Sequence, residues 1–125
     1  MRTSAVLLLL LASGATLRGE ESSARQIDFG LKVAQKGLWQ EARFRFERAA
    51  KADPQSAAAL NDLAVALEQM GDFVGARQAY EKALELKPND TYIQQNYDLF
   101  READDKRNRK LKKKKAPQAP QAPQP

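Results

Sequence analysis

Residues 57–90 read AAALNDLAVALEQMGDFVGARQAYEKALELKPND, and the spacing of their apolar and small residues sets the architecture. Leu60, Leu63, Ala64 and Leu67 recur at helical intervals, and Ser56 stands just ahead as a residue able to cap the first turn. Gly71 follows Met70, where a helix ends most easily in the left-handed conformation. Asp72 can cap a second helix whose inner face is Phe73, Ala76, Tyr80, Ala83 and Leu84. Pro88 then stops it one residue beyond Lys87. Small residues at 76 and 83 imply that the two helices approach closely there, with the rings at 73 and 80 filling the space alongside.

The preceding stretch, residues 23–56, repeats this unit at an offset of 34. The shift aligns Asp28 with Asp62, Gln35 with Gln69, Gly37 with Gly71, Ala42 with Ala76 and Arg43 with Arg77. It also pairs Glu47 with Glu81, Ala49 with Ala83 and Pro54 with Pro88, and it sets Trp39 against Phe73 and Phe46 against Tyr80. The shared places are small, aromatic or proline at the spacings a helix-turn-helix requires. A period of about 34 residues with this pattern resembles the tetratricopeptide repeat. One unit carries it as Leu60, Leu63-Ala64, Leu67, Gly71, Phe73, Ala76, Tyr80, Ala83 and Pro88, the other as Phe29-Gly30, Val33, Gly37, Trp39, Ala42, Phe46, Ala49 and Pro54. The tryptophan that often opens the motif is replaced by Leu60 in one unit and by Gln26 in the other, which weakens the first helix of the first unit most. The resemblance implies an all-α solenoid of two repeats, at residues 23–56 and 57–90.

A further helix is expected over residues 91–105, with Asp90 as its cap and Ile93, Tyr97 and Phe100 on one face. No second helix follows it, so it reads as the capping helix that closes the open apolar side of residues 73–84. Arrays of this kind usually need about three repeats. Two repeats and a cap should therefore be marginally stable, dimeric or stabilised by a partner.

Neither end of the chain looks globular. Met1-Arg2-Thr3-Ser4, the apolar run Ala5–Leu17 and the small residues Ser13, Gly14 and Ala15 are the parts of a secretory signal peptide, assigned to residues 1–19 with a short linker. The run is shorter than the roughly 20 residues that cross a bilayer as a helix. Cleavage after Gly14 or Ala15 is expected, with an uncleaved signal-anchor over residues 5–17 as the alternative. At the other end, residues 106–125 combine a lysine-rich run with Ala-Pro-Gln repeats, and both are expected to be disordered, the first as a self-repelling run or fraying helix end.

The net charge of +5 conceals a division between these parts. Residues 20–105 carry 11 basic and 16 acidic groups, a net of −5, whereas residues 106–115 carry eight basic groups and no acid. The tail cations Lys106, Arg107, Arg109, Lys110, Lys112, Lys113, Lys114 and Lys115 suit an anionic lipid or envelope polymer. Nucleic acid is disfavoured, because no aromatic residue is interleaved and the leader points to export.

The chain has no cysteine and no histidine, which removes disulfides, thiolate chemistry and the usual serine triad. No glycine-rich phosphate loop or paired-acid site stands out, and no enzyme activity, cofactor or metal is expected. The tetratricopeptide resemblance implies instead a concave groove lined by the first helix of each unit. Its matching places are Ile27, Leu31, Ala34 and Gln35, then Asn61, Val65, Glu68 and Gln69, then Gln95 and Leu99 on the cap helix. Ile27 and Leu31 stand where relatives that grip a terminal carboxylate need polar donors, so that subtype is excluded. A mixed apolar and amide groove suits an extended peptide or a helix of another protein; the alternative is that Ile27 and Leu31 pack against the leader-proximal segment. The expected function is a non-enzymatic protein-interaction module, periplasmic or secreted, with homodimerisation as one way of completing the fold. The alternatives are a membrane-tethered assembly factor and an anionic-surface or nucleic-acid binder acting through the tail.

Overall fold

The computed structural model describes residues 4–117, with side-chain environments from Leu17 onward. Five helices follow in order: α1 (Ser4–Gln35), α2 (Trp39–Ala52), α3 (Ala57–Gln69), α4 (Phe73–Leu86) and α5 (Thr91–Lys115). Each packs on its neighbour in sequence, and α1 also touches α3, the arrangement of an α-solenoid. There is no strand among the described residues. The all-α reading with two helical pairs and a terminal helix is the observed fold. None of these helices is long and apolar enough to cross a membrane.

Local chemistry fixes the boundaries. Ser56 accepts a hydrogen bond from the Ala59 amide at 3.1 Å, Asp72 from Gly75 at 3.0 Å and Asp90 from Ile93 at 3.1 Å, so α3, α4 and α5 each start on a side-chain cap. Helix α2 lacks one, because its cap position is Leu38, where the second unit has Asp72. Gly37 and Gly71 both adopt positive φ, at 74° and 81°. Beyond them the amides of Leu38 and Asp72 reach back to the carbonyls of Val33 and Leu67 at 3.1 and 2.9 Å, which reverses the chain in the same way in both units.

Packing repeats as well. Ala42, Ala49, Ala76 and Ala83 are fully buried, and the two largest rings beside them, Phe46 and Tyr80, are 2% and 1% exposed. Gly30 is pressed against Phe46 so closely that a Cβ there would lie 2.5 Å from the ring. Trp39 and Phe73 sit at the margins of the core and are only half-buried. Ser23 Oγ and Gln26 Oε1 are buried with no hydrogen-bond partner among the described residues. Placing an amide where the repeat favours an aromatic ring thus costs the α1–α2 contact a polar pairing.

Two expectations about the ends need adjustment. Helix α1 runs unbroken through the leader boundary at residue 19, and a Cβ on Gly19 would lie 2.6 Å from the Ala52 carbonyl oxygen of α2. Packing in the first pair therefore reaches back to Gly19. The capping helix, expected to end at Asp105, continues to Lys115, so residues 106–115 are helical rather than disordered. Asp104, 7% exposed, anchors this extension. It accepts hydrogen bonds from Arg77 of α4 at 2.7 Å and from Arg107 at 2.6 Å, and Arg107 lies 3.3 Å above the centre of the Phe73 ring. Lysine is a fair helix former, and four lysines in the last turn suit the negative end of the helix dipole. These terms outweigh the weak repulsion between lysines a turn apart. The expected disorder of residues 118–125 falls outside the described residues.

Replacing Asp104 should therefore loosen the whole basic extension. We expect Asp104→Ala to lower stability by about 1–3 kcal/mol, between the ranges for exposed and buried ion pairs. Helical signal should also be lost from residues 106–115, read by urea denaturation and far-ultraviolet circular dichroism. Unchanged helicity would show that the lysine run is helical without its anchor.

Candidate functional site

Three helices present one face each to a shared groove. On α1, Leu31, Ala34 and Gln35 fall at helical spacing; on α3, Ala58, Asn61, Asp62 and Val65 do the same; α5 contributes Tyr92 from its first turn. Leu31, Ala34, Gln35, Trp39, Phe46, Asp62, Val65 and Tyr92 line a recess of about 240 Å³. A second, of about 280 Å³, is bordered by Leu31, Ala58, Asn61, Asp62, Lys87, Asp90, Tyr92 and Ile93. Leu31, Asp62 and Tyr92 belong to both, so the two form one continuous groove. Leu31 is 44% exposed and Tyr92 65%, large apolar surfaces left to solvent on opposite walls.

The groove residues expected from sequence divide into three groups. Leu31, Ala34, Gln35 and Val65 line it. Asn61 lines it too but is only 2% exposed. Its amide donates to Asp62 at 3.1 Å and its carbonyl accepts from Asn96 of α5 at 3.1 Å, so it ties α3 to the cap helix and holds the groove floor. Glu68 is engaged elsewhere, accepting a hydrogen bond from the Tyr80 hydroxyl at 3.2 Å. Ile27 is half-buried, while Gln69, Gln95 and Leu99 are exposed; none of the four borders either recess.

Asp62 and Tyr92 stand outside the groove places expected from sequence, and Trp39 borders the groove although it aligns with Phe73 on the inner face of the second unit. The only sequence signal for Asp62 was its identity with Asp28 one repeat earlier, and the two differ in setting. Asp28 is exposed and pairs with Lys32 at 2.8 Å, whereas Asp62 is half-buried. Burial raises the Asp62 pKa above the ordinary carboxylate value, and the hydrogen bond from Asn61 offsets this only in part. Burial, reinforced by the neighbouring Glu68 carboxylate, likewise pushes the Tyr80 phenol well above its usual value, so this ring stays neutral.

Of the basic tail residues, Arg107 is held by Asp104 and Phe73 and is half-buried, so it is part of the fold. Lys106, Arg109, Lys110 and Lys112 to Lys115 are exposed along the end of α5.

A carboxylate whose pKa is raised by folding opposes stability as the pH rises above its unfolded value. Asp62→Asn keeps an oxygen for the Asn61 amide and removes the charge. It should stabilise the fold at pH 7, and the gain should vanish near pH 3, where Asp62 is protonated in both states. Urea midpoints at the two pH values measure this; an equal gain at both would refute the electrostatic cause.

The comparisons agree with this architecture. The sequence profile of the tetratricopeptide repeat matches residues 27–91, more than half of the chain. Among curated proteins no sequence match is found. Among solved structures, the crystal structure of the Sgt2 tetratricopeptide domain from Aspergillus fumigatus is similar, at 22% identity and a TM-score of 0.68. The likeness covers 81% of this chain and 66% of that one, so the chain spans just under two-thirds of that domain. At this identity the likeness concerns the fold. With two tandem units in register, their glycine turns and a matching profile, the chain belongs to the tetratricopeptide repeat family.

Proposed function

We propose that this chain is a non-enzymatic protein-interaction module that takes an extended peptide or a helix of another protein in the groove between α1, α3 and the start of α5. The observation that carries this reading is the pair of exposed apolar side chains, Leu31 and Tyr92, facing each other over the Asn61–Asp62 floor. A bare apolar wall above a fixed polar floor suits a ligand that buries side chains and satisfies backbone amides together.

The setting that best suits the sequence is the cell envelope, reached through the N-terminal leader. Removal after Gly14 or Ala15 keeps Gly19, whose close approach to Ala52 joins α1 to α2. In that setting the seven exposed cations at the end of α5 supply contact with an anionic surface, at about 1 kcal/mol per basic residue near a charged membrane. Mass spectrometry of the isolated protein should find Ala15 or Thr16 at the N-terminus. Retention of Met1 would favour the membrane-tethered reading.

The groove itself is tested by capture of a partner from envelope extract with Leu31→Ala and Tyr92→Ala, against Phe44→Ala as an exposed control outside the groove lining. Truncating an anchor that buries about 1.5–3 kcal/mol of apolar contact should weaken capture by about tenfold to a hundredfold. The control should leave it unchanged. Equal recovery with all variants would remove the groove from the function.

A further inference from the structure

The chain carries a segment whose chemistry matches its own groove. Residues 112–125 read KKKKAPQAPQAPQP, a basic stretch leading into proline at every third place. Such a sequence favours polyproline II, and at about three residues per turn that conformation would put Pro117, Pro120 and Pro123 on one edge, the alanines with Pro125 on a second and the glutamines on the third. The groove offers both kinds of surface. Leu31, Trp39, Val65 and Tyr92 supply its apolar lining, and the two aromatic rings are the kind of surface on which proline docks. Gln35, Asn61 and Asp62 supply its polar groups.

We propose that this groove takes the Ala-Pro-Gln tail of a second copy of the chain, so that the protein associates with itself head to tail; the inference rests on the groove reading above. Where the tail starts favours another molecule. From Tyr92 to Lys115 the helix α5 rises about 1.5 Å per residue, or roughly 35 Å, so the tail leaves at the far end of α5 from its own groove. To enter that groove it would have to double back along α5, whereas the groove of a second copy requires no such return. The Asp104 anchor also fixes the start of the extension, holding it against α4.

Charge favours the same pairing. Residues 20–105 carry a net −5 and the arm that leads into the tail carries eight cations. Within the groove Asp62, Asp90 and Lys87 are the ionisable groups besides Tyr92, and Asp90 is already occupied as the cap of α5. Asp62 has one hydrogen-bond donor among the described residues, the Asn61 amide, and its burial makes a further donor welcome. A glutamine amide or lysine ammonium from the incoming tail supplies it. Because each copy has one tail and one groove, two copies can exchange tails as a closed pair, or the contact can continue as a chain.

Sedimentation velocity on the protein isolated with its natural N-terminus, over a range of concentrations, tests this against two variants. One lacks residues 116–125; the other is Tyr92→Ala. The unaltered chain should gain mass with concentration, and each variant alone should weaken association at least tenfold. Mixing the two variants should restore a complex, since one supplies the groove and the other the tail. Raised salt should weaken it. A monomeric unaltered chain, association that survives loss of the tail, or no complex in the mixture would each overturn the proposal. The tail-less form should still capture a heterologous partner through Leu31 and Tyr92. Self-docking can therefore fail while the groove reading stands, and capture insensitive to both residues would instead refute that reading.

Discussion

The close approach of paired helices at alanine is the constraint on which the molecule depends. Ala42 and Ala49 in one unit and Ala76 and Ala83 in the other leave no accessible surface at all. Any larger side chain would separate the helices or force strained rotamers, at a cost of typically about 1–3 kcal/mol. Because the helices meet so closely, a single ring per unit, Phe46 or Tyr80, can fill the remaining space and be almost fully enclosed. Packing of the helices on their neighbours brings Leu31, Val65 and Tyr92 around one groove.

A repeat array has ends, and this one treats its two ends differently. At the C-terminal end Tyr80 of α4 and Tyr97 and Phe100 of α5 form a ring cluster with centroids 5.5–6.3 Å apart, which seats α5 on α4. Asn61 with Asn96, and Asp104 with Arg77, then pin that helix at two levels through polar bonds that other registers would leave unmade. The N-terminal end is weaker. Its first helix brings Ser23 Oγ and Gln26 Oε1 into the contact with no partner among the described residues, and its second begins without a side-chain cap. The greater stability should therefore lie in the second unit and the cap, with the first pair opening more readily.

The groove carries costs of its own for folding. Asn61 is buried and hydrogen-bonded on both sides, while its neighbour Asp62 is a half-buried carboxylate, beneath apolar walls that remain in water. The buried charge and the exposed apolar surface each cost folding free energy. Such an arrangement is tolerable in a small solenoid only because the alanine contacts elsewhere are so complete.

The sequence by itself determined the helices, their turns and their pairing, because those follow from local chemistry. Ser56, Asp72 and Asp90 cap helices from adjacent positions, Gly37 and Gly71 reverse the chain where only glycine turns easily, and the recurrence of small and aromatic residues marks each inner face. Several groove residues were legible for the same reason, since Leu31, Gln35 and Val65 occupy equivalent turns of their helices. The tertiary structure decided what periodicity cannot carry. Asp28 and Asp62 are the same residue at the same place in the repeat, yet one is exposed and the other becomes the groove floor, because only α3 is flanked on its far side by the start of α5. The helix to Lys115 was hidden likewise. A lysine run repels itself when read alone, and it is held in place through Asp104 at its base and Arg77 and Phe73 of α4, a helix distant in sequence from the run. Spacing along a chain records which residues share a face; which of those faces is covered depends on neighbours that only the folded chain brings together.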